Sequence, residues 1–149
     1  FHRRRVVRLA GDIFVIEDRV TGICHSEHDI RLYYNFAFGH LEQDGESFAY
    51  TSQKGRPYTV TVQADKPLDF EILEGSEEPI GGWISYGYAW RKPIPQLIAK
   101  HAGKAPIHFV TVLAPAGTKA QAAIKGDASE VTLADGKVLT LTENGVELH

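Results

Sequence analysis

The sequence predicts an all-β antiparallel sandwich of the supersandwich or jelly-roll kind, with almost no helix. Two observations carry this. Short runs rich in Val, Ile, Thr, Tyr and Phe recur at the spacing of about 8–12 residues that marks sandwiches and barrels. Turn chemistry separates them, with Asp135-Gly136 and Asn144-Gly145 as the clearest hairpin signals because both pairs tolerate positive φ.

Taken in order, alternation predicts strands over 2–9, 12–18, 30–38, 47–52, 57–64, 68–74, 83–88, 94–99, 106–114, 120–124, 129–134, 137–141 and 145–148. Ala10-Gly11 turns the first pair, Gly45 and Gly55 punctuate the middle, and the last 20 residues, from Glu130 onward, read as a three-stranded meander. Only 96–103 could pass for a helical turn. No repeat, low-complexity segment or linker interrupts the chain, so residues 1–149 are expected to form one domain. Methionine is absent and Phe1-His2 opens inside a strand pattern, which points to a domain taken from a longer chain.

Composition narrows the function. A net charge of -3 gives no electrostatic case for nucleic-acid binding. No apolar run approaches the roughly 18–20 residues that span a bilayer as a helix. Cys24 is the single cysteine, so no internal disulfide forms, and with no CxxC partner it reads as a lone buried thiol. There is no P-loop, no dinucleotide fingerprint and no supported Ser/His/Asp constellation.

The charged head of the first hairpin is the most informative stretch. Along a strand, His2, Arg4, Val6 and Arg8 share one face, and Arg3, Arg5, Val7 and Leu9 the other. The returning arm ends in Glu17-Asp18. An odd-membered turn sets even positions against even ones and brings His2 within reach of Asp18; a two-residue turn sets Arg3 opposite Asp18 instead. Two readings follow. In one, Arg3 or Arg4 pairs with Asp18 and His2 lies at the rim. In the other, His2 and Asp18 are two ligands of a metal, with zinc suited to imidazole and carboxylate and a third ligand drawn from His25, His28, Asn35 or His40.

Beyond this point the residues resemble a known family. His2-Arg3-Arg4, then Val15-Ile16-Glu17-Asp18, Gly22 and His25, then Leu32-Tyr33-Tyr34-Asn35-Phe36-Ala37-Phe38-Gly39, resemble the start of the C-terminal β-sandwich of heparinase II/III-like polysaccharide lyases. The segment WISYGYAWRKPIPQLI followed by APIHFVTVLAPAG resembles a second block of that family, and the matches run from about residue 2 to 117. The resemblance implies the C-terminal domain of an enzyme that cleaves uronic-acid-containing polysaccharide by β-elimination. It implies an N-terminal α/α toroid that holds most of the catalytic groups, so no catalytic residue is assigned in this chain and the domain alone is expected to be inactive. It implies an acidic polysaccharide substrate and a periplasmic or secreted location. It also implies a structural zinc on His2 and Asp18, where the third position falls on Asn35 and His40 or His25 would have to substitute.

Arg3 and Arg4 would then line the mouth of a canyon between domains, where guanidinium groups bind carboxylate or sulfate. Tyr86 and Trp90 are the candidates for stacking on sugar rings; Trp83 reads as core. His108, in an apolar strand, reads as a buried, hydrogen-bonded histidine, and His101 and His149 as surface residues. Two other classes remain open: a non-catalytic carbohydrate-binding module working through Tyr86 and Trp90, and a self-contained jelly-roll metalloenzyme using His2, Asp18, His25 and His40.

Overall fold

A computed structural model describes residues 1–22 and 26–149, and it is all-β. The strands are β1 (His2–Leu9), β2 (Ile13–Val20), β3 (His28–Asn35), β4 (Gly39–Asp44), β5 (Ser47–Ser52), β6 (Pro57–Ala64), β7 (Asp69–Glu74), β8 (Ser76–Glu77), β9 (Ile80–Gly81), β10 (Trp83–Gly87), β11 (Trp90–Pro93), β12 (Pro95–Gly103), β13 (Ile107–Pro115), β14 (Ala120–Lys125), β15 (Ala128–Leu133), β16 (Val138–Thr142) and β17 (Gly145–Leu148). Every pairing is antiparallel, and none of the sheets closes into a barrel.

Three sheets form layers. The central one has six strands in the order β1-β2-β13-β6-β5-β4. One face packs on the three-stranded sheet β3-β12-β7 through Leu32, Tyr34, Phe48, Val60, Leu97, Ile107 and Phe109. The other face packs on the meander β14-β15-β16-β17 through Val15, Val110, Val112, Val131, Leu139 and Leu141. Strands β2 and β13 are therefore covered on both sides, which is why their burial does not alternate. Two small hairpins, β8-β9 and β10-β11, stand apart from these layers.

The first hairpin turns through Ala10, Gly11 and Asp12, closing with Leu9 opposite Ile13. Gly11 and Asp12 take φ of 78° and 57°, so two successive left-handed residues reverse the chain within three. The odd-membered turn sets Arg4 opposite Asp18 and His2 opposite Val20.

The sequence reading needs three corrections. Residues 96–103 are not a helical turn: they belong to β12, paired on both edges, and Leu97-Ile98-Ala99 is the unbroken apolar run of a central strand. Strands β4 (Gly39–Asp44) and β11 (Trp90–Pro93) escaped notice because they show no apolar alternation: β4 buries only Leu41, and β11 is exposed throughout. Trp83 is half-buried on a hairpin rather than in the core, and His101 is buried, its Nδ1 donating to the Pro67 carbonyl at 2.9 Å.

Phe109 is fully buried between the six-stranded sheet and the three-stranded sheet β3-β12-β7. Phe109→Ala is expected to lower the unfolding free energy by roughly 3–5 kcal/mol, read as a shifted midpoint with unchanged slope in chemical denaturation.

Candidate functional site

The hairpin head sorts its charges into two clusters, one on each face of the central sheet. On the face toward β3, Asp18 is fully buried. Its Oδ1 accepts from Arg4 Nε at 2.7 Å and lies 2.6 Å from His2 Nε2, while Oδ2 accepts from Arg4 NH2 at 3.0 Å. Because the carboxylate only accepts, His2 Nε2 is the donor of this pair. The Arg4 guanidinium lies 5.5 Å from the Tyr34 ring centroid, and the Tyr34 hydroxyl pairs with Thr111 at 2.7 Å. The hydrogen bond from Arg4 to Asp18 raises the guanidinium pKa further above its ordinary value.

On the opposite face Glu17 is 1% exposed and has three side-chain partners, two of them arginines. Arg5 Nε reaches Oε2 at 2.6 Å, Arg19 NH2 reaches Oε1 at 3.0 Å, and His108 Nε2 lies 3.0 Å from Oε1. Burial pushes the Glu17 pKa up. The hydrogen bonds from His108, Arg19 and Arg5, with the Arg19 charge, outweigh it and hold the carboxyl at about 2. These donors also tie the meander sheet to the central one: Arg5 donates to the Gly145 carbonyl at 3.3 Å, Arg19 donates to the Asp127 carbonyl, and Ser129 Oγ lies 2.9 Å from His108 Nε2.

Ser129, His108 and Glu17 do not make a nucleophilic triad. Both partners meet the same imidazole nitrogen, so Glu17 cannot orient the ring through one nitrogen while the other takes a proton from Ser129. Ser129 is also fully buried.

Beside this cluster lies a cavity of about 370 Å³, lined by Phe1, Arg3, Arg19, His108, Asp127 and Glu143 among others. Arg3 stands directly opposite Arg19 in the register, and its NH2 atom is buried without a protein partner. The guanidinium donors and carboxylate acceptors together suit a hydroxyl-rich or acidic ring. Arg19 and His108 were not singled out as site residues. Their signal was the strand parity they share with Arg3, Arg5 and Glu17, which becomes meaningful only once the order β1-β2-β13 is known.

Among the described residues the metal candidates do not converge. Among the described residues no group of three His, Cys, Asp or Glu side chains is placed to hold an ion. His2 and Asp18 meet, but Asn35 accepts from Gln96 Nε2 at 2.6 Å on an exposed face. His40 sits on β4 at the far edge of the six-stranded sheet, beside Glu42 at 3.4 Å and five strand steps from β1, on the order of 20 Å. His25 lies outside the described residues, as does Cys24. Among the described residues only His2 stands beside Asp18 as a metal donor, and Arg4 already covers both oxygens of that carboxylate.

Tyr86 and Trp90 come together on the β10-β11 hairpin with ring centroids 5.5 Å apart, and are 73% and 38% exposed. Lys92 Nζ lies 5.5 Å from the Trp90 centroid, so a cation borders the aromatic pair. Elsewhere on the hairpin, Arg91 stacks over Trp83 at 4.2 Å and pairs with Glu77 at 2.6 Å. Ser85 Oγ donates within the tip, to the carbonyls of Gly87 at 2.9 Å and Trp90 at 2.6 Å, and Ala89 takes φ of 56° to complete the turn.

The layered sandwich is the fold of a domain found in heparinase III-type polysaccharide lyases. A heparinase III, the BT4657 gene product, matches with a TM-score of 0.73 and 20% identity, over 94% of this chain and 23% of that one. The heparan sulfate lyase HepC from Pedobacter heparinus matches at 0.68 and 13%, over 99% of this chain and 23% of that one. A further heparinase III matches at 0.67 and 17%, with the same two coverages. The chain thus spans about a quarter of the length of the enzymes it resembles. No family model and no curated protein matches the sequence.

Glu17 generates a pH prediction. A carboxyl held at about 2 against an ordinary 4.5 contributes stability that is complete above pH 4.5 and is lost as pH falls toward 2. The contribution is on the order of 3 kcal/mol. Glu17→Gln is expected to destabilise the chain at pH 7 and to flatten the acid limb of its stability–pH curve, measured by denaturant titration across that range.

Proposed function

We propose that this chain is the C-terminal β-sandwich domain of a polysaccharide lyase that cleaves uronic-acid-containing polysaccharide by β-elimination. The observation that carries the reading is that 94–99% of the chain takes the fold of a 23% share of two heparan-type lyases. In that role the sandwich supports an α/α toroid that supplies most of the acid–base chemistry, and it forms one wall of the substrate canyon. The protein would act in the periplasm or outside the cell, on a glycosaminoglycan such as the heparan sulfate named for one neighbour.

The residues proposed to meet the polysaccharide are Arg3 and Arg4 at the hairpin head and Tyr86 and Trp90 on the projecting hairpin. Arg3 is the better placed of the two arginines to bind carboxylate or sulfate, since its NH2 has no protein partner and Arg4 is engaged with Asp18. Tyr86 and Trp90 offer a sugar ring an aromatic face, with Lys92 beside it for an anionic substituent. The same exposed hairpin favours a second reading, a carbohydrate-binding module without catalysis.

An elimination assay separates the two. The longer parent chain is expected to generate unsaturated uronate from heparan-type polysaccharide, detected by its ultraviolet absorbance, and the 149-residue chain none. A parent chain inert on heparan-, alginate- and exopolysaccharide-type substrates would contradict the lyase reading. In titration calorimetry, replacing both Tyr86 and Trp90 by Ala is expected to weaken binding of acidic oligosaccharide by this chain about tenfold or more, at about 1–3 kcal/mol for lost aromatic contact.

A further inference from the structure

We propose that the Arg4 guanidinium holds the seat a metal ion would take beside His2 and Asp18, so that the hairpin head is neutralised from within and folds without zinc. Three observations meet at this point. Arg4 is directly opposite Asp18 in the register, which fixes its side chain over the carboxylate without any loop to order. Its fork covers both oxygens, Nε on Oδ1 at 2.7 Å and NH2 on Oδ2 at 3.0 Å, which is the bidentate geometry that a planar guanidinium shares with carboxylates. His2 Nε2 takes a further position on Oδ1 at 2.6 Å. One carboxylate thus has three donors around it, and a dication in the same place would have to displace the guanidinium or sit against its charge.

Three further donors among the described residues point the same way. The Tyr34 hydroxyl is committed to Thr111, Asn35 to Gln96 and His40 to Glu42. None of them turns toward Asp18. The inference concerns the structural role of Arg4 and stands apart from the lyase reading, which an elimination assay tests separately.

The geometry also says how the metal seat could be opened. Positions 2 and 4 share the face of β1 that carries Asp18 opposite position 4. Arg4→His would set two imidazoles and one carboxylate around one point, which is the three-ligand set that zinc accepts with water as the fourth.

The test is elemental analysis of purified chain after equilibration with zinc and desalting, paired with melting curves with and without chelator. Wild type is expected to retain no stoichiometric zinc and to melt identically in both conditions. Arg4→Gln in metal-free buffer is expected to reduce the folding equilibrium constant about tenfold or more, since a charged donor pair is lost from a buried carboxylate. Arg4→Lys should restore part of this, because it returns the charge without the fork. Arg4→His is expected to retain about one zinc per chain, with a melting point that falls on chelation. Stoichiometric zinc in wild type, lost in Asp18→Asn or in His25→Ala, would overturn the proposal. So would Arg4→Gln as stable as wild type, or a folded Arg4→His that takes up no zinc.

Discussion

Two adjacent carboxylates on a strand buried on both faces govern this structure. Glu17 and Asp18 point into opposite layers from β2, and neither has meaningful contact with solvent. A buried carboxylate survives as an ion only when charge-assisted donors replace the water it has lost. The chain supplies these donors from its first five residues, from β2 itself and from β13 on the other side: His2 and Arg4 for Asp18; Arg5, Arg19 and His108 for Glu17. The basic run at the start of the sequence is therefore the counter-charge of the central sheet. It follows that the hairpin cannot slip by one residue, because a shift would exchange the faces and strand both carboxylates.

The same ions set how the layers join. The cluster on Glu17 extends to the Gly145 and Asp127 carbonyls and to Ser129, so the meander is held by a polar clasp at one end as well as by its apolar core. The Asp18 cluster ends at Arg4 over Tyr34, which roots β3 to the hairpin. What remains outside these two networks is what can face a ligand: Arg3 beside the cavity, and the aromatic pair on β10-β11.

Much of the architecture was legible because period-two alternation and glycine turns report a sandwich directly. Asp135-Gly136 and Asn144-Gly145 marked the meander, and Ala10-Gly11-Asp12 marked the first hairpin. The reading failed where burial is not alternating. Strand β12 is central in its sheet, so its unbroken burial left the strand read over 94–99 open to a helical reading through 103, and β4, an edge strand of His40, Glu42 and Gln43, showed no alternation at all. At the site, parity was enough to bring His2 and Arg4 to Asp18. The roles of Arg19 and His108 depend on the crossover that makes β13 the neighbour of β2, a long-range pairing that no local pattern encodes.

The central claim is that Glu17 stays ionised inside the protein because its donors are built into its own strand and the two strands beside it. Carbon-13 NMR of the Glu17 side-chain carboxyl, followed as pH is lowered, tests it most directly. The account predicts a resonance that stays in its ionised position through the ordinary carboxylate range and moves only as pH approaches about 2. A midpoint at or above the ordinary 4.5 would mean that the strand cations do not hold the charge, and the organisation described for the hairpin head would be wrong.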